Sequence, residues 1–416
     1  MQIEIRTCAP HEVEQFVRIA HVAFGEEAPR AEMPLFERVF ERDRMLVAVD
    51  GGASDGGSIV GTAAAYSFAP TVPGGEARAA GVSWVGVLPT HRRRGILRSL
   101  MRRQLDDVRA RGEPVAILFA SEGTIYQRFG YGLATLSAAF EIDRAWTAFR
   151  PDQPPVGGTR LLTGDEVARM LPPIYEQVGR AQPGFFSRSP AWWEAEVIAD
   201  PEGRRNGAGP KFFVVHEVDG EPDGYAIYRI RPAWSQGSAS STLVAREVVA
   251  TTPLATRELW RYLFAVDLVQ RIRGDMVVPD HPLLLQLAEP RRLALTIADG
   301  LWLRVVDLPA AMEARSYAAE GSLVLEVRDE FCPWNAGRWR LTATGPEEAK
   351  RATVVRTDEA PDLACEIGDL GAVYLGGVSF AQLGRALRAV ELRPGALSRA
   401  DALFRAERTP WCPQVF

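Results

Sequence analysis

Apolar residues follow two spacings along this chain, and the alternation between them predicts a mixed α/β protein. Ile3-Glu4-Ile5-Arg6 alternates as a half-buried strand does, and residues 12–23 carry apolar side chains three and four apart, the face of a helix. Residues 45–49 and 59–68 read as further strands, and the glycines at 51–57 suit a hairpin turn between them. A strand at 80–88 stops at Pro89, after which Ile96, Leu97, Leu100, Met101, Leu105 and Val108 share one helical face. Gly112 and Pro114 end that helix. Residues 115–120 form the continuous apolar run of a central strand, and 133–142 close the unit with another.

Proline and glycine pairs between Pro151 and Gly158 mark a linker. The order then repeats loosely: a strand near Arg160, a helix at 164–178, strands at 212–217, 224–229 and 243–249, and a helix at 256–272. This second copy is degenerate, because Ala-Thr-Thr-Pro-Leu-Ala-Thr precedes its last helix where the first copy has a basic, glycine-containing turn. From about Leu301, strands at 323–327, 339–342 and 352–356 and a helix at 380–390 predict an α+β domain. A chain of 416 residues exceeds one ordinary core. The expected domains are 1–150, 151–298 and 299–416, the fold class α/β with a C-terminal α+β domain.

Composition narrows the partners. With 47% apolar and 24% charged residues the chain reads as a soluble globular protein, and no run of about eighteen apolar residues is present to span a membrane. No secretory leader is recognisable, so a cytoplasmic location is expected. Cys8, Cys332, Cys365 and Cys412 lack C-x-x-C spacing and read as reduced thiols, and the five histidines share no ligand spacing, so no metal is expected. A net charge of -5 disfavours a nucleic-acid partner and suits a cationic small molecule.

The densest chemistry lies at Val85-Gly86-Val87-Leu88-Pro89-Thr90-His91-Arg92-Arg93-Arg94-Gly95-Ile96-Leu97-Arg98, a strand entering a helix through a basic turn. Free amides at a helix start, with the helix dipole behind them, bind phosphate oxygens, and glycine permits close approach. An extended ligand with amide bonds could pair with the strand at 85–87. This stretch resembles the acetyl-CoA motif of the GNAT superfamily, Arg/Gln-x-x-Gly-x-Gly/Ala, with Leu97 where a small residue is usual. A second match, Ser121-Glu122 followed by Tyr126-Gln127-Arg128-Phe129-Gly130-Tyr131, is similar to the Tyr-x-x-Phe-Gly-Phe/Tyr end of such enzymes.

Two such copies and a sterol-carrier-protein-like last domain together resemble the Eis (enhanced intracellular survival) family. Phe186-Ser187-Arg188 before Trp192-Trp193, Arg304-Val305-Val306-Asp307, Trp334-Asn335-Ala336-Gly337, Leu375-Gly376-Gly377 and the closing Pro410-Trp411-Cys412-Pro413-Gln414-Val415-Phe416 carry that likeness in order. It implies acetyl-CoA as co-substrate, a primary amine of an aminoglycoside or polyamine type or of a lysine side chain as acceptor, and a homohexamer. It also implies that Tyr126 is the general acid, that the terminal carboxylate on Phe416 is the general base, and that Phe24, Glu26, Phe36 and Trp84 line the amine cleft. Val415 departs from the acidic penultimate residue of aminoglycoside-acetylating relatives. The residues alone leave open that Phe24 and Phe36 are helix core. They also leave open that the protein is a lipid or small-ligand carrier with vestigial coenzyme binding.

Overall fold

The computed structural model describes residues 3–51, 57–151, 153–344 and 352–416. Residues 52–56 of the expected hairpin turn lie outside that set. The chain divides into two compact units, one of Met1–Thr135, Gly300–Pro410 and Val415–Phe416, the other of Leu136–Asp299 and Trp411–Gln414.

The first unit opens with β1 (Ile3–Thr7), α1 (Val13–Phe24), α2 (Met33–Val39), β2 (Leu46–Asp50) and β3 (Ser58–Phe68). The short hairpin β4 (Thr71–Val72) and β5 (Gly75–Glu76) leads to β6 (Ala79–Val87), α3 (Ile96–Ala110), β7 (Val115–Phe119), α4 (Gly123–Tyr126) and β8 (Gly132–Leu133). The sheet order is β1-β2-β3-β6-β7, then Leu301–Val305, then β8. Only β6 and β7 run parallel, and their register covers just Ala79–Gly81 against Val115–Ile117. Past Gly81 the two strands part.

The helices follow their patterns. Val13, Phe16, Val17, Ile19 and Ala20 of α1 are buried, and a left-handed Gly25 ends it. The Glu26 amide donates to the His21 carbonyl at 2.9 Å and that of Gly25 to Val22 at 3.1 Å, a Schellman closure that fixes where Glu26 leaves the helix. On α3, Ile96, Leu100, Met101, Leu105 and Val108 are buried as expected, with Gln104 among them. The Gln104 amide is accommodated by donating to the Ala64 carbonyl at 2.9 Å.

The rest of this unit carries a five-stranded sheet ordered Ala352–Arg356, Gly337–Thr344, Glu320–Arg328, Leu363–Glu366, Ala389–Glu391. The helix expected at 380–390 ends at Arg385. Leu387 takes a left-handed φ of 58°, and the chain re-enters as an edge strand against Leu363–Glu366.

The second unit holds a seven-stranded sheet ordered Gly158–Leu162, Phe212–Val218, Glu221–Arg231, Ser241–Ala250, Val269–Val277, Leu136–Asp143, Thr296–Asp299. Two expectations change. The strand read at 133–142 as closing the first sheet pairs instead, over Leu136–Asp143, with Val269–Val277 and Thr296–Asp299. In the first sheet Leu301–Val305 lies beside β7. The helix read at 256–272 spans only Pro253–Ala265, because Leu268 turns left-handed at φ 60° and Val269–Val277 runs as a strand, parallel to Ser241–Ala250.

His281 sits in this unit's core between Trp260 and Phe140, with ring centroids 5.3 and 5.9 Å away. Its Nδ1 accepts from the Leu283 amide at 3.2 Å. Burial pushes the ring down from 6.5 to about 4, so the unfolded chain binds this proton more readily than the folded one. The neutral ring's stabilisation is complete above pH 6.5 and is lost as pH falls toward 4, which is about 2 kcal/mol between pH 8 and pH 5. Denaturant melts at those two pH values should show the loss, and His281→Gln should remove that share of it.

Candidate active site

Where β6 and β7 separate, the sheet opens a cavity of about 430 Å³. Val82, Ser83, Trp84 and Val85 of β6 form one wall, with Phe119, Ala120, Ser121 and Tyr126 on or just after β7 opposite. Ala20, His21, Phe24 and Glu26, from and just beyond α1, cover one side, and Val415 and Phe416 complete the lining.

A bulge shapes the β6 wall. Ala64 pairs with Ser83 and Thr62 with Gly86, so two residues of β6 oppose one of β3. Trp84 sits in that bulge with a left-handed φ of 57°, a conformation that costs a non-glycine residue about 1–2 kcal/mol. Its neighbours hold it there: its carbonyl accepts from Thr62 Oγ1 at 2.8 Å, its indole N–H donates to Tyr66 Oη at 2.7 Å, and Phe36 and Phe40 meet its ring edge-on at 5.1 and 5.2 Å. Phe36, expected on the cleft, is instead buried in the core behind Trp84.

Beyond the bulge the strand presents backbone. The Leu88 amide donates to the Val60 carbonyl at 2.9 Å, so strand alternation turns the peptide groups of Gly86 toward β3 and those of Val85 and Val87 away from it. Arg92 lies over this edge, its Nε 3.4 Å from the Val87 carbonyl and its Nη2 2.8 Å from that of Ala23. Arg93 (φ 62°) and Gly95 (φ 81°) are both left-handed and set up the start of α3.

Among the described residues no side chain caps α3, so the first-turn amides of Ile96, Leu97 and Arg98 keep no helical partner. A Cβ on Gly95 would meet nothing within 4 Å. Arg93 and Arg94 are exposed around this open turn, whereas Arg98 stacks on Phe331 at 5.2 Å. Ile96 and Leu97 spend their side chains on packing. An uncapped helix start, left-handed approach and arginine rim fit a pyrophosphate, and the outward strand edge fits pantetheine amides; those residues would hold acetyl-CoA. The equivalent helix of the second unit differs: Thr252 Oγ1 accepts from the Ala255 amide at 3.0 Å, and Pro253 contributes no N–H.

Tyr126 is 5% exposed, and burial raises its phenol to about 12, so it stays protonated at any ordinary pH. Its ring meets Tyr131 edge-on at 5.9 Å. The Phe416 ring is T-shaped to Phe68 at 5.0 Å and to Phe119 at 5.6 Å. Tyr126, Phe416, Phe24, Glu26, Trp84, Val85 and Ser121 thus line one cavity. Gly86, Val87 and the 92–98 turn lie off its lining, as does Glu122, exposed at the start of α4. Sequence reasoning missed His21, Ser83 and Phe119, although His21 stands one helical turn before Phe24, Ser83 adjoins Trp84, and Phe119 stands two residues before Ser121.

Family models match residues 4–134 and 184–305 as acetyltransferase (GNAT) domains and 308–413 as a sterol carrier protein domain. The N-acetyltransferase Eis of Mycobacterium tuberculosis is 36% identical over 382 residues, 88% of this chain and 89% of that protein. The chain belongs to the Eis family. An uncharacterized N-acetyltransferase of Streptomyces coelicolor is 42% identical over 94% of both chains. The crystal structure of Eis1 from Mycobacterium abscessus superposes with a TM-score of 0.83 at 34% identity, covering 99% of this chain and 100% of the other. As an Eis-family protein the chain is an acetyltransferase with two tandem GNAT domains and a sterol-carrier-type domain, and no helix among its described residues is long and apolar enough to cross a membrane.

Proposed function

We propose that the copy within residues 1–150 transfers an acetyl group from acetyl-CoA to a primary amine of a cationic small molecule or a lysine side chain. Tyr126 acts as general acid and the terminal carboxylate of Phe416 as general base, in a cytoplasmic homohexamer such as the family resemblance implies. The observation that supports this reading is that Tyr126 and Phe416 line one cavity beside Val85, at the parting of β6 and β7.

When bound, acetyl-CoA supplies a thioester carbonyl to that space. The Phe416 carboxylate takes a proton from the incoming ammonium, leaving the amine its lone pair. Tyr126 Oη holds the proton that a departing thiolate requires, and burial keeps it there. The Val85 and Val87 peptide groups orient the pantetheine arm, and the open amides at 96–98 hold the diphosphate. Purified protein, acetyl-CoA and a panel of primary amines should release free CoA thiol; no release above the amine-free control would overturn the assignment.

The phosphate turn has its own test. Asparagine and aspartate tolerate a left-handed φ best among non-glycine residues, so both fit at Gly95, where the added side chain meets open space. Gly95→Asp should weaken CoA binding about 30-fold by calorimetry, since a carboxylate then faces the diphosphate, whereas Gly95→Asn should cost about threefold. Equal effects would place the anion elsewhere.

A further inference from the structure

The proposed acetyl transfer leaves the acceptor's chemistry open, and the cavity wall narrows it. We propose, resting on that reading, that the preferred acceptor is a monoamine with a flat apolar body, an arylalkylamine, rather than a polyamine or an aminoglycoside. Besides the His21 imidazole, five rings line the space: Phe24, Trp84, Phe119, Tyr126 and Phe416. Against them, Glu26 is the only acidic side chain on the wall among the described residues, and it is exposed at the end of α1, on the rim. The Phe416 carboxylate is committed to proton removal.

A second ammonium carried into this space has only Glu26 to pair with, on the exposed rim where an ion pair contributes little, and beyond that rim a cation taken out of water meets no further carboxylate side chain among the described residues. His21 does not substitute. Its Nδ1 lies 2.9 Å from the Val17 carbonyl and donates to it, which leaves Nε2 as the nitrogen able to accept one hydrogen bond from an amine. A planar ring, by contrast, meets surfaces already in position. Trp84 is immobilised by its bulge, its bond to Tyr66 and the rings of Phe36 and Phe40, and Phe416 is wedged between Phe68 and Phe119. Such a wall binds an aromatic body without first having to order itself. Phe24 is 52% exposed at the mouth, where an apolar side chain gains most from a ligand that covers it.

The test compares kcat/KM at saturating acetyl-CoA for 2-phenylethylamine, tryptamine, n-butylamine, spermidine and tobramycin, read as CoA thiol release. Both aryl amines should exceed n-butylamine about tenfold through burial of the ring, and should exceed spermidine and tobramycin by at least as much. Spermidine or tobramycin turning over as well as the aryl amines would overturn the acceptor assignment while leaving acetyl transfer intact. Silence with every amine would overturn the transfer reading itself. In Phe24→Ala, whose half-exposed side chain endangers no core, the ratio of 2-phenylethylamine to n-butylamine should fall about fivefold; an unchanged ratio counts against the ring-stacking wall.

Discussion

Tyr126→Phe should fold as the parent does and acetylate about 100- to 1000-fold more slowly, with the loss in kcat rather than in either KM. The substitution removes one oxygen and keeps the ring, which is held edge-on by Tyr131 within the buried cluster of Met101, Leu105 and Phe129. Among the described residues the Tyr126 hydroxyl has no side-chain hydrogen-bond partner, so its removal strands no buried polar group, and stability should change by less than about 1 kcal/mol. What is lost is a phenol that burial has pushed up to about 12 and kept loaded with its proton. General acids of this kind contribute about 10²- to 10⁴-fold. Steady-state thiol release beside a thermal melt checks both halves, and a kcat within threefold of the parent would remove Tyr126 from the acid role.

The second large effect is at the other end of the chain. A single glycine appended after Phe416 should lower kcat about 100-fold, because it converts the carboxylate into an amide and moves the nearest charge about 3.6 Å further along the chain. The ring should keep its seat against Phe68 and Phe119. That seat is tight: a Cβ on Gly81 would come within 3.2 Å of the Phe416 ring and 2.3 Å of the Phe68 ring. Phe416→Leu retains the carboxylate but weakens the seat, and should cost about tenfold, the price of a base held less firmly. An appended glycine that leaves acetylation intact would mean the proton goes elsewhere.

Much of this was legible in order along the chain and little of it in space. The strand, basic turn and helix at 85–98 could be read because glycine, arginines and apolar spacing each demand the same local geometry. Partnership could not be read in that way. Leu136–Asp143 and Leu301–Val305 both carry the apolar content of sheet strands, and burial patterns report that a strand is covered without saying which neighbour covers it. Val269–Val277 was hidden for a related reason: exposed Arg271 and Arg273 set off buried Ile272 over too short a stretch to displace a helical reading that began in a true helix. The cleft suffered from the same ambiguity. Phe24 and Phe36 fit amphipathic helices equally well, and only the turn at Gly25 and the packing of α2 put one at the mouth and the other behind Trp84.

The two helix starts differ in what they leave open, one being uncapped after Gly95 and the other closed by Thr252 and Pro253. A hydroxyl and a ring now occupy the place where the first copy keeps its backbone amides open. If coenzyme is held by the first copy, as proposed, substitutions around residue 252 should alter the stability of that half and leave coenzyme binding unchanged.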